Sequence, residues 1–232
     1  MNRAFLRTLL LLCALTGFAL TADAQTHYEP HISVGARGGM TMSSMSFSPA
    51  VKQSMVMGYN LGGVFTYAEE RHVGLRAEFG VTTRGWKENF EDFGDQFSYQ
   101  RRLTYINLPL MTHIFFGGRR IKCLFNLGPE FGFMIANSIS SNFDYANAST
   151  IPGFPRNRQT EQMSMKVKNR FDYGITGGVG VEYIIDARSS VQLEARYYFG
   201  LGNIYSASKK DTFSASRNQT ISVGVAYMFR LR

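Results

Sequence analysis

Along much of this chain apolar and polar residues alternate one for one, and nearly all the charges within the alternating stretches share one parity. Eight segments behave this way: 32–40, 59–67, 73–82, 106–114, 122–133, 170–183, 191–199 and 220–229. In the third, Val73, Leu75, Ala77, Phe79 and Val81 alternate with Arg76, Glu78, Gly80 and Thr82. In the seventh, Val191, Leu193, Ala195, Tyr197 and Phe199 alternate with Gln192, Glu194, Arg196 and Tyr198. A period of two sends neighbouring side chains to opposite faces of a strand. A charge in the middle of a lipid-facing surface costs roughly 2–4 kcal/mol. Charges held to one parity therefore mark strands with one face in hydrocarbon. Strands can satisfy their backbone groups there only by closing into a barrel. The pattern predicts an all-β, eight-stranded antiparallel up-and-down transmembrane β-barrel with a filled interior.

The connections follow the same logic. Residues 68–72, 117–120 and 186–189 are short and polar, whereas 41–57, 87–101, 137–168 and 203–217 are long. Outer-membrane barrels alternate short periplasmic turns with long extracellular loops. Both termini are then expected in the periplasm. Tyr67, Phe115, Phe116, Tyr183, Tyr227 and Phe229 are expected in an aromatic girdle at the periplasmic interface, and Tyr59, Phe171, Tyr173 and Phe199 in one at the opposite interface.

Arg3 and Arg7, the apolar stretch Leu9–Leu20 and Ala22-Asp23-Ala24 have the layout of a cleaved export signal. The apolar run is shorter than the roughly 20 residues of a membrane-spanning helix. Residues 1–24 are thus read as a signal peptide and 25–232 as a single barrel domain located in the cell outer membrane. Removing Arg3, Arg7 and Asp23 takes the formal net charge from +8 to +7. For an exported chain this excess points to membrane lipids and lipopolysaccharide phosphates rather than to nucleic acid. A scattered, solvated surface explains it equally well. Only Cys123 remains after cleavage, so no intramolecular disulfide is expected.

Eight strands make a barrel just wide enough to be filled by its own side chains. The filling would include Arg76, Glu78, Glu130, Asp172, Glu182, Glu194 and Arg196, read as a structural ion-pair network, because unpaired charges there are costly. Pro109 and Pro129 fall inside strands, and a bulge is expected near each. The glycine runs around 35–39 and 174–178 lie within strands rather than before a helix, so they are not read as phosphate-binding loops.

Catalytic motifs are absent: the chain contains no HExxH, CxxC, Walker loop or GxSxG. His31 and Ser33 begin the first strand on the inner parity, and His113 is a lone inward histidine. All three are read as hydrogen-bonded fillers. No cofactor and no metal site are expected.

Arg84-Gly85-Trp86-Lys87-Glu88, Leu103-Thr104-Tyr105-Ile106-Asn107-Leu108-Pro109-Leu110 and Asn126-Leu127-Gly128-Pro129-Glu130 resemble the PorT-type outer-membrane β-barrel proteins of Bacteroidetes. Asp172-Tyr173-Gly174 through Gly180 and Arg196–Ile204 are also similar to that family, so the resemblance covers essentially the whole mature chain. It implies the same fold and bacterial group, and it carries over no catalytic residue. The family's namesake is linked to protein secretion through the type IX system, which the resemblance makes a possible setting here.

Function then falls to the loops. Loop 137–168 carries Phe143, Tyr145, Ile151 and Phe154, and its return limb is basic through Arg156, Arg158, Lys166, Lys168 and Arg170. Loop 87–101 carries Phe90, Phe93 and Phe97 among Glu88, Glu91, Asp92 and Asp95. Their opposite charges predict that the two loops touch. Phe90, Phe93, Phe143, Tyr145, Phe154, Arg156 and Arg158 are the candidate partner-binding residues, since connections on rigid scaffolds often carry function; a solvated cap whose aromatic rings dip into lipid headgroups explains the same composition equally well. The leading expectation is a non-catalytic barrel acting as a binding or accessory subunit of an outer-membrane assembly. The alternatives are a stand-alone structural or adhesive barrel and, last, an enzyme acting on outer-leaflet lipid.

Overall fold

The computed structural model describes residues 30–90, 96–155, 159–207 and 212–231. The expected signal segment lies outside them. The strands are β1 (His31–Ser48), β2 (Gln53–Ser54), β3 (Val56–Ala68), β4 (Val73–Glu88), β5 (Tyr99–Gly117), β6 (Ile121–Ser141), β7 (Phe171–Ile184), β8 (Ser189–Gly200) and β9 (Ala215–Arg230). Eight of them close an antiparallel ring in which each pairs with its neighbours in sequence. β1 joins β9, and the pairing of β4 with β5 completes the circuit. The two-residue β2 is an extra strand on the upper part of β4.

Along the middle of the strands the predicted faces are the observed ones; Arg170, on the inner parity in sequence, precedes β7 and is exposed. Met40, Leu61, Leu75, Phe79, Val179, Leu193 and Val225 point outward and are exposed, whereas Arg37, Arg76, Glu78, Asn126, Glu194 and Arg196 on the opposite parity are buried. On β1 the apolar outward positions run from Ile32 to Met42, close to the roughly nine to eleven residues a tilted strand needs to cross a bilayer. Val225 is midway along the outward run of β9. Arginine at Val225 is expected to cost about 2–4 kcal/mol of folded stability in lipid vesicles, and arginine at Phe229, near the edge, about 0–1 kcal/mol. Denaturant titration of the two variants checks the depth dependence. Equal losses would mean that β9 does not cross the membrane as described.

Three short turns and both described chain ends lie together at one end of the ring. In the β7–β8 turn the Asp186 carboxylate accepts the backbone N–H groups of Arg188 and Ser189, both at 2.8 Å. Those two hydrogen bonds hold its pKa below the usual carboxylate value. The β5–β6 turn requires Gly117, whose φ is 145° and where a Cβ would lie 2.5 Å from the Ile121 carbonyl oxygen.

At the other end the strands run further than expected. Residues 41–48, 87–88, 99–101, 137–141 and 215–217, expected in loops, are strand. The amphipathic sense inverts in these extensions. On β1, Thr41 and Ser43 face inward beside outward Met40 and Met42. Two residues further, Met45 and Phe47 are buried while Ser44, Ser46 and Ser48 lie outside. Strands that leave hydrocarbon for water exchange one solvent for the other, so apolar side chains turn inward. The loops above are correspondingly shorter, with a 3-10 turn at Tyr145–Thr150 and one helical turn at Glu161–Ser164.

The bulge expectation is corrected. Pairing lapses beside Pro109 on the β4 side and beside Pro129 on the β5 side, then resumes in the same register. A strand held by two neighbours in a closed ring loses ladder bonds at a proline without gaining a residue. The register shift in the β5–β6 pair lies at Thr104/Tyr105, opposite Met134 and Ala136, which leaves Ile135 as the extra residue. It switches the parity of β6, so that Asn137 and Ile139 turn inward above it. Phe115 is also corrected. It is buried with Ala68 and Leu124 inside the ring and does not join the girdle. Phe116, Tyr183, Tyr227 and Phe229 at the short-turn end, and Tyr59, Phe171, Tyr173 and Phe199 at the other, are exposed on the outer face.

Candidate functional site

Two features could carry function: the charged interior and the capped upper end. Inward positions on β1, β4, β6, β7 and β8 bring eight charged side chains into two clusters. In the lower cluster Arg196 grips Glu78 through two hydrogen bonds, at 2.6 and 2.7 Å, and reaches Glu194 at 2.7 Å. Arg76 binds Glu78 at 2.6 Å and lies 3.6 Å from Glu194, and Arg37 lies 3.7 Å from Glu78. Neutral groups extend the network. Arg76 donates to Gln192, Gln192 donates to Glu182, and Asn126 donates to Glu194 while its carbonyl oxygen meets His113 Nδ1 at 2.6 Å.

In the upper cluster Arg84 binds both Glu130 and Asp172, the latter at 2.8 Å. Its guanidinium also lies over the Tyr198 ring, 3.7 Å from the centroid. Asn218 donates to Asp172 and Asn107 to Glu130. The lower cluster has three arginines against two glutamates and the upper one arginine against two carboxylates. Across both, four positive charges meet four negative ones. A low-dielectric interior tolerates charges when they are paired and hydrogen-bonded in this way. Between the clusters lies a cavity of about 30 Å³, room for a water or two.

Six of the seven residues expected in the lumen belong to the two clusters. Glu182 lies lower, accepting from Ser190 and Gln192. Sequence reasoning left out Arg37 and Arg84. Arg37 already had the inner parity. Arg84 lies beyond the alternating segment 73–82, and extending the parity of β4 past Thr82 reaches it. His31, Ser33 and His113 line a cavity of about 40 Å³ at the short-turn end with Lys122, Glu182 and Gln192. Among the described residues no cluster of three His, Cys, Asp or Glu side chains is arranged to hold a metal ion.

Above the charged interior lies a second, apolar core. Met45, Phe47, Trp86, Tyr99, Leu103, Met163, Ile204, Tyr205 and Phe213 are buried together across the mouth. Trp86 meets Phe47 edge to face at 5.4 Å and donates from Nε1 to Glu88 at 3.1 Å. The Arg101 guanidinium donates to the Met165 carbonyl at 2.8 Å and the Tyr205 hydroxyl at 2.9 Å, which pins the longest loop. Burial raises the Tyr205 hydroxyl above the usual tyrosine pKa. Gly85, between Arg84 and Trp86, permits a tight approach of β4 to β5. A Cβ there would lie 2.0 Å from the Arg101 carbonyl oxygen.

The expected loop residues divide. Phe90 and Phe154 are buried, and Phe143 and Tyr145 are partly buried against the same core. Phe90 and Phe97 both pack on Phe143 and Phe154 with centroids 5.1 to 5.9 Å apart. The two loops therefore touch, and among the described residues these rings make the contact. These rings pack into the apolar core that caps the upper end of the ring, the head of the barrel. Phe93, Arg156 and Arg158, with Glu91, Asp92 and Asp95, lie outside the described residues.

Several solved structures are similar to this chain. The crystal structure of the outer membrane protein OprG from Pseudomonas aeruginosa aligns with 90% of this chain and 97% of its own, at 14% identity and a TM-score of 0.48. Ail of Yersinia pestis, solved in complex with the heparin analogue sucrose octasulfate, aligns over 85% of this chain and 99% of its own, at 13% identity and a TM-score of 0.41. The solution structure of E. coli outer membrane protein W covers 86% and 98%, at 15% identity and a TM-score of 0.36. Comparison with curated proteins gives no match. The model of the outer membrane protein beta-barrel domain matches residues 23–206. With that match spanning most of its length, this chain belongs to the outer membrane protein beta-barrel family.

Proposed function

We propose that this protein is a non-catalytic surface barrel whose capped upper end docks another envelope protein, with both termini in the periplasm and residues 1–24 removed on export. One observation carries the reading: the strands continue beyond the lipid band and enclose a hydrophobic core of their own. A barrel serving only as an anchor needs roughly nine to eleven residues per strand. Here β5 has 19 residues and β6 has 21. The surplus holds a head fixed by Trp86, Tyr205 and the Phe90–Phe154 ring cluster. A fixed head suits recognition because little conformational freedom is lost on binding. The paired charges below it favour a closed structural lumen over an ion pathway.

The residue-level resemblance to PorT-type barrels of Bacteroidetes supports an envelope assembly linked to protein secretion as the setting. His31 and Ser33 line a small cavity at the short-turn end, away from the outer leaflet under this orientation, which favours the non-catalytic reading. Extraction of native membranes in mild detergent, followed by mass spectrometry of the co-purifying proteins, tests the proposal. A stoichiometric envelope partner is expected, and it should be lost when the head is loosened at Trp86. A barrel that purifies alone would favour the stand-alone surface protein. Altered lipid A in a deletion strain would favour the enzyme.

A further inference from the structure

On the outer wall, just where the apolar band gives way to polar surface, lies an open groove of about 720 Å³. Its floor is apolar: Phe133 of β6, Phe171 and Tyr173 of β7, and Leu201 all line it and are exposed. Its upper wall carries Lys168 and Arg170, both exposed. The groove exists because two backbone segments are tied together beside β7. The Lys168 and Asn169 N–H groups donate to the Ile204 carbonyl at 3.0 and 3.1 Å. The Leu201 N–H donates to the Tyr173 carbonyl at 2.8 Å, and the Arg170 carbonyl accepts from Met134 at 2.8 Å. The Asn169 side chain also donates to the Asn203 carbonyl at 2.8 Å. Both walls are therefore held by backbone geometry. No acidic side chain lines the groove among the described residues.

An apolar floor at the level of lipid chains, beneath two exposed cations on a fixed backbone at the level of headgroups, matches one kind of molecule. We infer that this groove binds a phosphorylated glycolipid of the outer leaflet, with the acyl chains against Phe133, Phe171 and Leu201 and a phosphate between Lys168 and Arg170. Arginine offers a forked pair of donors to phosphate, and lysine adds a point charge. A soluble anion would use the basic wall but not the apolar floor. A neutral lipid would use the floor but not the wall. The inference rests on the outward-facing orientation proposed above.

The test uses the purified full chain in detergent, with lipid A added, and native mass spectrometry as readout. Wild type is expected to retain bisphosphorylated lipid A through washing and to retain dephosphorylated lipid A about 10- to 30-fold less, as expected for two basic residues at a membrane surface. Lys168→Gln with Arg170→Gln should lower retention of the bisphosphorylated lipid by a similar factor, with the folded band unchanged on a heat-modifiability gel. Both substitutions are on exposed side chains, so folding is not at stake. Equal retention by the double variant, equal retention of the dephosphorylated lipid, or displacement by inorganic phosphate at comparable concentration would overturn the site. Amine labelling of Lys166 on intact cells with an impermeant reagent tests the orientation separately, because the binding readout does not depend on it.

Discussion

Arg84→Ala should lower the unfolding free energy of the barrel by about 3–5 kcal/mol, the usual cost of removing one partner from a buried ionic cluster. Among the described ion pairs Arg84 is the cation that serves both Glu130 and Asp172. Its removal strands two carboxylates in the interior, where a charge without a partner is expensive. The lower cluster behaves differently. Arg196→Ala leaves Arg76 and Arg37 beside Glu78, and Arg76 beside Glu194. Its loss should be the smaller of the two, although Arg196 makes more hydrogen bonds. Charge balance within a cluster decides the order, not the number of contacts.

Two further variants separate lost attraction from stranded charge. Arg84→Lys keeps the charge, but a single ammonium cannot reproduce the fork that reaches Asp172 through Nη1 and Glu130 through Nη2. It also loses the stack on Tyr198. An intermediate loss is expected. In the triple variant Arg84→Leu, Glu130→Gln, Asp172→Asn no charge is left behind, and most of the loss should be recovered. Denaturant titration in lipid vesicles, followed by the shift between folded and unfolded gel mobility, reads all four variants. A triple variant as unstable as Arg84→Ala would show that the pairing itself, and not relief of stranded carboxylates, holds this level of the barrel.

The lipid-crossing zone was legible because two constraints agree there. Strand geometry imposes a period of two, and hydrocarbon forbids outward charge, so Arg76, Glu78, Glu194 and Arg196 could be assigned inward from sequence alone. Above the membrane the second constraint lapses. Ser44-Met45-Ser46-Phe47 still alternates, but with its sense reversed, and a rule written for lipid reads it as loop. Tracking the period without fixing the sense would have extended β1 to its observed length, and extending the inward parity of β4 past Thr82 reaches its upper part. Arg84 and Trp86 would then have appeared as inward neighbours instead of a motif after a strand. The bulge opposite Thr104 had no such signal. The prolines drew attention, yet a closed ring absorbed them. The rings at Phe90, Phe143 and Phe154 are a different case. An aromatic residue in a loop serves equally as core or as contact surface, and the choice depends on long-range packing that no local window contains.

The head can be tested as a unit distinct from the barrel beneath it. Trp86 is wholly buried, packed on Phe47 and Tyr205 with Arg101 over its ring at 5.6 Å. Trp86→Ala should remove about 3–5 kcal/mol from the head. The core it disrupts sits above the charged clusters, and the lower strands keep their pairing. The loss should therefore surface as local opening. Limited proteolysis is expected to cut within residues 142–170 many-fold faster than in wild type, while gel mobility still reports a folded barrel. Trp86→Phe retains a ring for Phe47 but loses the Nε1 hydrogen bond to Glu88, so its effect should be distinctly smaller. Conductance across planar bilayers should stay at background in both variants, because Arg76, Glu78, Glu194 and Arg196 fill the lumen below the head. Ion flow through Trp86→Ala would place the seal in the head and remove the closed lumen from the proposal. Proteolysis and barrel unfolding that accelerate together would mean that head and barrel form one cooperative unit.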